Sequence, residues 1–297
     1  MRNLSVLLLC IFCFIVIFIT IFQNQQTVET ITYFPIDEQL SFTKAETSVD
    51  TCPNQANEIC WKIQSDTDHP FYLRQDIGIL FANGKVQAIL TKWEQNKSKL
   101  ILEKELTVPP NSYLQALSYH HGEIHHEDTS ITSVQKMSTE NTFLLKTVDK
   151  DILLTKEYVK ETKDIQEKLV SDTEDRLGMV WDRWIAEQGI KRENYELIPL
   201  ITLENYNKKT LPSFTQDETD KIIGQLWEGL YKSYLIPLLN SSHDVQGDYM
   251  PIILISRDKT HLIVLYEQNK ELLSLYQKIT LSPDEPTITI GGNQANE

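Results

Sequence analysis

The residues best suited to chemistry lie in one decapeptide, Tyr119-His120-His121-Gly122-Glu123-Ile124-His125-His126-Glu127-Asp128, which holds four of the seven histidines. Imidazole and carboxylate together are the ligand set of zinc and of other divalent transition metals. Gly122 suggests a tight turn at His121-Gly122. A hairpin closing there sets His120 opposite Glu123 and Ser118 opposite His125. Strand side chains alternate between faces, so Ser118, His120, Glu123 and His125 share one face, and Leu117, Tyr119, Ile124 and His126 share the other. Four histidines therefore cannot meet at one ion. The set this register allows is His120, Glu123 and His125, two imidazoles and a carboxylate that could hold a divalent metal with an open position. The same pattern also describes a solvated strand face or a pH-sensitive contact for a partner. A one-residue slip would exchange the faces.

The second chemical signal is Cys52 and Cys60. Seven residues separate them, including the turn-forming Pro53-Asn54-Gln55-Ala56-Asn57. Such a close pair predicts a local disulfide and an oxidising compartment. A redox pair would be spaced Cys-x-x-Cys, and a zinc site would need further ligands nearby.

Motifs that carry known chemistry are missing. The sequence has no His-Glu-x-x-His, no Gly-x-Ser-x-Gly and no phosphate loop ending in Gly-Lys. His243 stands in a polar Ser-Ser-His-Asp stretch that reads as a loop. No cofactor motif is present, and a divalent metal on the His120/Glu123/His125 face is the one cofactor these residues could hold. The chain carries 28 basic and 42 acidic residues, a net charge of −14. That surface repels nucleic acid, and basic residues are not interleaved with aromatic ones.

Position in the cell is predicted by Leu4 to Phe22, nineteen residues without a charge. As a helix the run would span roughly 28 Å, the thickness of a bilayer's hydrocarbon core. It exceeds a signal peptide's apolar core and is followed by no small-residue cleavage site. Cys10 and Cys13 fall inside it as packing residues. Arg2 precedes the run, and the next basic residue is Lys44, so the N-terminus is expected in the cytoplasm and the bulk of the chain outside.

The elements that must position these residues follow from periodicity. Residues 1–23 read as anchor and 24–50, polar and weakly periodic, as a stalk. Residues 51–282 read as an extracytoplasmic α+β domain and 283–297 as a loose tail. Within the domain, alternating segments from 59 to 147 predict an antiparallel β-meander. Asn83-Gly84 marks a type I′ hairpin. From 156 to 188 apolar residues recur three or four apart, as in a helix. Thr215 and Glu218 form a capping box for a second helix over 217–239, which Pro237 should end or kink. Residues 251–267 predict a β-hairpin, with 272–281 as a possible third strand. Anchor, stalk and missing motifs together predict a single-pass interaction or sensing module of the cell envelope, its partners the membrane and another envelope protein. The alternatives are a metal-dependent protein, or an enzyme whose residues meet only in the fold.

Overall fold

The computed structural model describes residues 27–31, 34–37, 39–53, 58–146, 152–240, 247–281 and 287–291, the first and last of these as backbone alone. The apolar run Leu4 to Phe22 and His243 lie outside the described residues. Among those described, no helix is long and apolar enough to cross a membrane.

Among the described residues the fold is mostly β, with three helices and a nearly closed antiparallel sheet. Strands β2 (Phe42–Thr51), β3 (Glu58–Ala82), β4 (Lys85–Thr107), β5 (Ser112–His125), β6 (Ile131–Lys146) and β7 (Ile152–Thr155) form the first sheet. Asn83 and Gly84 turn β3 into β4 with φ of 50° and 77°, as a type I′ turn requires. β3 is long enough to serve two partners on one side: its first half pairs with β2, its second with β5. Between them the register shifts from Asp66 to Phe71, and β3 bends back over itself. The bend presses Trp61 and Ile63 against Gly78. A Cβ built on Gly78 would lie 2.2 Å from Ile63 Cδ1, so only glycine fits there. A parallel bridge from Ile36 to Ser133 carries the chain from β6 towards β2 and almost closes the ring. The stretch expected to be a stalk thus contains a paired strand of the sheet.

Helix α1 (Lys163–Glu187) follows, then β8 (Tyr195–Pro199), a 3-10 helix (Leu200–Asn207) and α2 (Gln216–Leu230). The Thr215/Glu218 capping box is in place, each side chain bonding to the other's backbone N–H. After α2 one turn widens to π geometry (Tyr231–Leu235) before α3 (Ile236–Asn240). Pro237 accounts for this turn: it lacks an N–H, and its ring crowds the carbonyl four residues back. That carbonyl, Ser233 O, accepts a hydrogen bond from Tyr266 Oη at 3.1 Å.

The second sheet runs β1 (Thr27–Ile31), β12 (Thr287–Gly291), β11 (Glu271–Lys278), β10 (His261–Gln268), β9 (Ile252–Ser256), β8. The expected hairpin is therefore the centre of a wider sheet, and the presumed loose tail supplies a strand. β9 and the first half of β10 are buried on both faces, as their unbroken apolar runs require. Val180, Trp184 and Ile185 of α1 cover one face. Ile222, Ile223, Leu226 and Trp227 of α2 fill the space between the other face and the first sheet.

Cys52 and Cys60 form a disulfide with Cα atoms 5.1 Å apart, beside the β2–β3 connection. Closing so short a loop stabilises by about 2–3 kcal/mol in the loop-entropy account. The double variant Cys52→Ser/Cys60→Ser should lose that amount in denaturant unfolding. Wild-type protein in reductant should match it.

Candidate functional site

β5 does not turn at His121-Gly122. It runs straight to His125, and the turn lies at residues 126–130. Gly122 is a mid-strand glycine because a Cβ there would sit 2.4 Å from the Phe71 ring. The faces expected from a hairpin are therefore rearranged. His120 points to one side, and His121, Glu123 and His125 point to the other. The predicted set His120, Glu123 and His125 is not brought together.

His120 is completely buried inside the curled sheet, opposite Asp76 of β3. Its Nδ1 stands 3.3 Å from Asp76 Oδ1, and its Nε2 lies 2.9 Å from Ser138 Oγ of β6. Asp76 and Ser138 thus flank His120 in the order of a nucleophilic hydrolase, but Asp76 Oδ1 and His120 Nδ1 make no hydrogen bond, so the bond that orients a catalytic histidine is missing. Ser138 is 7% exposed and lines none of the clefts described below. The alignment belongs to a polar core. Ser65 Oγ donates to Asp76 Oδ2 at 2.6 Å and accepts from Arg74 Nη2 at 2.5 Å. Arg74 Nη1 donates to Thr67 Oγ1 at 3.0 Å. The guanidinium also packs over the rings of Phe42 and Phe71, 5.0 and 5.6 Å from their centroids. Burial pulls its pKa below the ordinary value, and the Asp76 and Asp66 carboxylates oppose that pull.

The other side of β5 faces α2. His121 Nε2 lies 3.3 Å from Glu123 Oε1, and His125 Nε2 lies 3.9 Å from Glu123 Oε2. His125 is stacked on Tyr72, ring centroids 3.7 Å apart. The imidazoles approach different oxygens of the same carboxylate and do not converge. Among the described residues, the one metal-sized cluster of His, Cys, Asp and Glu atoms is Cys52, Cys60 and Glu105. Its sulfurs are already joined to each other, so it offers no thiolate. His121 and Glu123 line a small cleft of about 150 Å3 under α2, with Gln135, Trp227 and Tyr231. Tyr119 fixes this edge by stacking on Trp227 (centroids 4.8 Å apart) and donating to Gln135 Oε1 at 3.0 Å.

Further along the same sheet face, beyond the Tyr119–Trp227 contact, a second cleft encloses about 570 Å3, within the usual range of small-molecule sites. The sheet supplies its floor through Tyr113, Gln115, Thr139 and Asn141. Helix α1 supplies one wall through Glu174, Leu177 and Trp181, and the 3-10 helix another through Ile201, Thr202 and Glu204. These walls are fixed. Trp181 Nε1 donates to Met250 O at 2.8 Å. Asn207 bonds both Met137 N and Met137 O, at 3.0 and 2.7 Å, and so acts as a ladder partner where β7 does not reach. Thr139 Oγ1 donates to Glu204 Oε2 across the seam. Tyr113 is held above its ordinary pKa by burial first, then by the neighbouring Tyr158 and Glu174. No single segment signals this cleft in the sequence, because its lining comes from β5, β6, α1, the 3-10 helix and the approach to β9.

A third, wider cleft of about 1010 Å3 lies at the hairpin end of the first sheet, lined by Lys85, Lys146 and Arg176 among others. No protein-family model matches the sequence, and no curated protein does. Among solved structures, the crystal structure of chicken MD-1 complexed with lipid IVa matches at 12% identity over 39% of this chain and 99% of that chain, with a TM-score of 0.16. A score that low carries no argument about this chain's fold or ligand.

Proposed function

We propose that this chain is a single-pass, membrane-tethered, extracytoplasmic binding module of the cell envelope that does not act as an enzyme. The observation that carries the binding reading is the 570 Å3 cleft: amides, hydroxyls, carboxylates and ring faces converge there on pinned elements. The aligned Asp76, His120 and Ser138 are sealed in the core, which argues against catalysis at that point. The tether rests on the uncharged run Leu4 to Phe22, and the outward orientation on Arg2. The Cys52–Cys60 disulfide supports an oxidising compartment.

A photo-crosslinking residue in place of Asn141, the exposed end of the cleft's floor, tests the reading in native membranes. The expected result is a recurrent adduct with one envelope component, absent when the crosslinker replaces Glu127 on the distant 126–130 turn. Equal background adducts from both positions would remove the cleft as a binding site. A membrane-impermeant maleimide applied to intact, reduced cells should label Cys52 and Cys60. Labelling only after lysis would overturn the orientation.

A further inference from the structure

We infer that the free edge of β4 docks on the same edge of a second copy of this chain, antiparallel about Ile101. The surface is separate from the 570 Å3 cleft, which no residue of β4 lines.

β4 pairs with β3 along one side. On its other side, among the described residues, the chain covers only the start of the strand. There Val86 bonds to Gly247 and Asp248, and Lys85 bridges to Tyr249. From Lys97 to Thr107 β3 is the one strand partner among the described residues. Asn96, at φ 54°, sets this stretch off at one end, and Pro109 and Pro110 follow it at the other. Every second residue between them turns its N–H and C=O outward, a template for another strand.

The side chains say which strand fits. Leu100 and Leu102 are buried, so by alternation Lys97, Lys99, Ile101, Glu103 and Glu105 share the outer face. The four charged residues are exposed, and Ile101 between them is half-buried. A two-fold rotation about Ile101 sets Lys97 opposite Glu105 of the copy and Lys99 opposite Glu103, each twice. Opposite residues of an antiparallel pair have Cβ atoms about 4.5–5.5 Å apart, within reach of ion pairing. Moving the centre by one residue, to Leu100 or Leu102, keeps one of these two matches. Moving it by two sets Lys99 or Glu103 against itself. The charges therefore specify both the partner and the register.

Lysine on an edge strand commonly guards it against pairing. A guard of one sign would repel a second copy. Here the sign changes at Ile101, so a two-fold mate is attracted. Glu103 already lies 2.9 Å from Lys62 of β3, and Lys99 of the copy would extend that pair into a row across the joined sheets. Lys97, Lys99 and Glu105 have no ion-pair partner among the described residues. One strand pair is a small interface of the transient class, so covalent trapping is the suitable readout.

The test is cross-linking of the full-length chain in native membranes, with Cys10 and Cys13 replaced by serine; Cys52 and Cys60 are joined to each other and do not react. Ile101→Cys treated with a short bifunctional maleimide should give a covalent dimer. Lys99→Cys and Glu103→Cys chains should cross-link when expressed together and not when expressed singly. Adding Lys97→Glu/Lys99→Glu to Ile101→Cys should cut the yield about tenfold or more, and so should Glu103→Lys/Glu105→Lys. Expressing these two reversed chains together brings unlike charges face to face again and should restore the dimer, which also shows that both chains fold. No dimer from Ile101→Cys, a yield no higher than that of Glu127→Cys on the 126–130 turn, or a yield that charge reversal leaves unchanged overturns the inference. A cross-link from Ile101→Cys to a different protein alone would give the edge another partner and overturn the second copy.

Discussion

Arg74→Ala should cost about 3–5 kcal/mol of unfolding free energy, the effect of breaking a buried charge constellation from one side. Arg74 is fully buried, and its guanidinium donates to Ser65, Thr67 and the Ser98 carbonyl. Its removal leaves the fully buried Asp76 carboxylate with Ser65 and the nearby His120 but no fixed positive charge. It also empties the space between Phe42 and Phe71, where β3 bends. Asp76→Ala should cost a similar amount, since it strands the guanidinium instead. The pair Arg74→Met/Asp76→Leu should cost clearly less than the sum of the singles, because neither charge is then left alone. Guanidinium-chloride unfolding followed by tryptophan fluorescence measures all three, with Trp61 reporting from inside the same curl. A loss under 1 kcal/mol for Arg74→Ala would mean that water reaches the guanidinium, and the sealed core would have to be abandoned. The polar network would then be an open site, and the alignment of Asp76, His120 and Ser138 would regain a catalytic meaning.

Local signals in the sequence translated directly into structure. Asn83-Gly84, the Thr215/Glu218 box and the Cys52–Cys60 pair each act over ten residues or fewer, and each appears as read. Pro237 perturbed its helix at the right place, although the perturbation is a π turn rather than an end. Longer-range meaning was not legible. Gly122 looked like a turn glycine, but its missing Cβ makes room for Phe71, fifty-one residues earlier. With the turn misplaced, alternation put His120 beside Glu123, whereas its partner is Asp76 on another strand. β12 read as a loose tail because it is only five residues long and one of its two pairing partners is the remote β1. The 570 Å3 cleft is a property of packing alone. Glu174 reads as a surface helix residue, and nothing in the sequence singles out Glu204, until α1 and the 3-10 helix are set against β5 and β6.

The packing that creates the clefts turns on Trp227, and Trp227→Ala should destabilise the protein by about 3–5 kcal/mol. The indole is 1% exposed. One face lies against Tyr119 of the first sheet, and Nε1 points at Met137 Sδ, 3.3 Å away. Neighbours on the same helix, Ile223 and Leu226, join it in the core shared with Ile253, Leu262 and Val264 of the second sheet. Trp227 therefore wedges a helix that both sheets need, and alanine would leave a void with two rigid sheets on its flanks. A helix seated between sheets cannot collapse into such a void without lifting from one of them, so the cost should fall at the upper end of the range. The loss should appear in the unfolding of both sheets together: fluorescence of Trp61 in the first and Trp184 beside the second should give coincident transitions, shifted by the same amount. Transitions that separate in Trp227→Ala would show that α2 couples two units able to fold apart. Tyr119→Phe supplies the contrast, since it keeps the stacked ring and gives up the bond to Gln135. Its cost should stay near 1 kcal/mol, which separates what the wedge contributes by shape from what it contributes by hydrogen bonding.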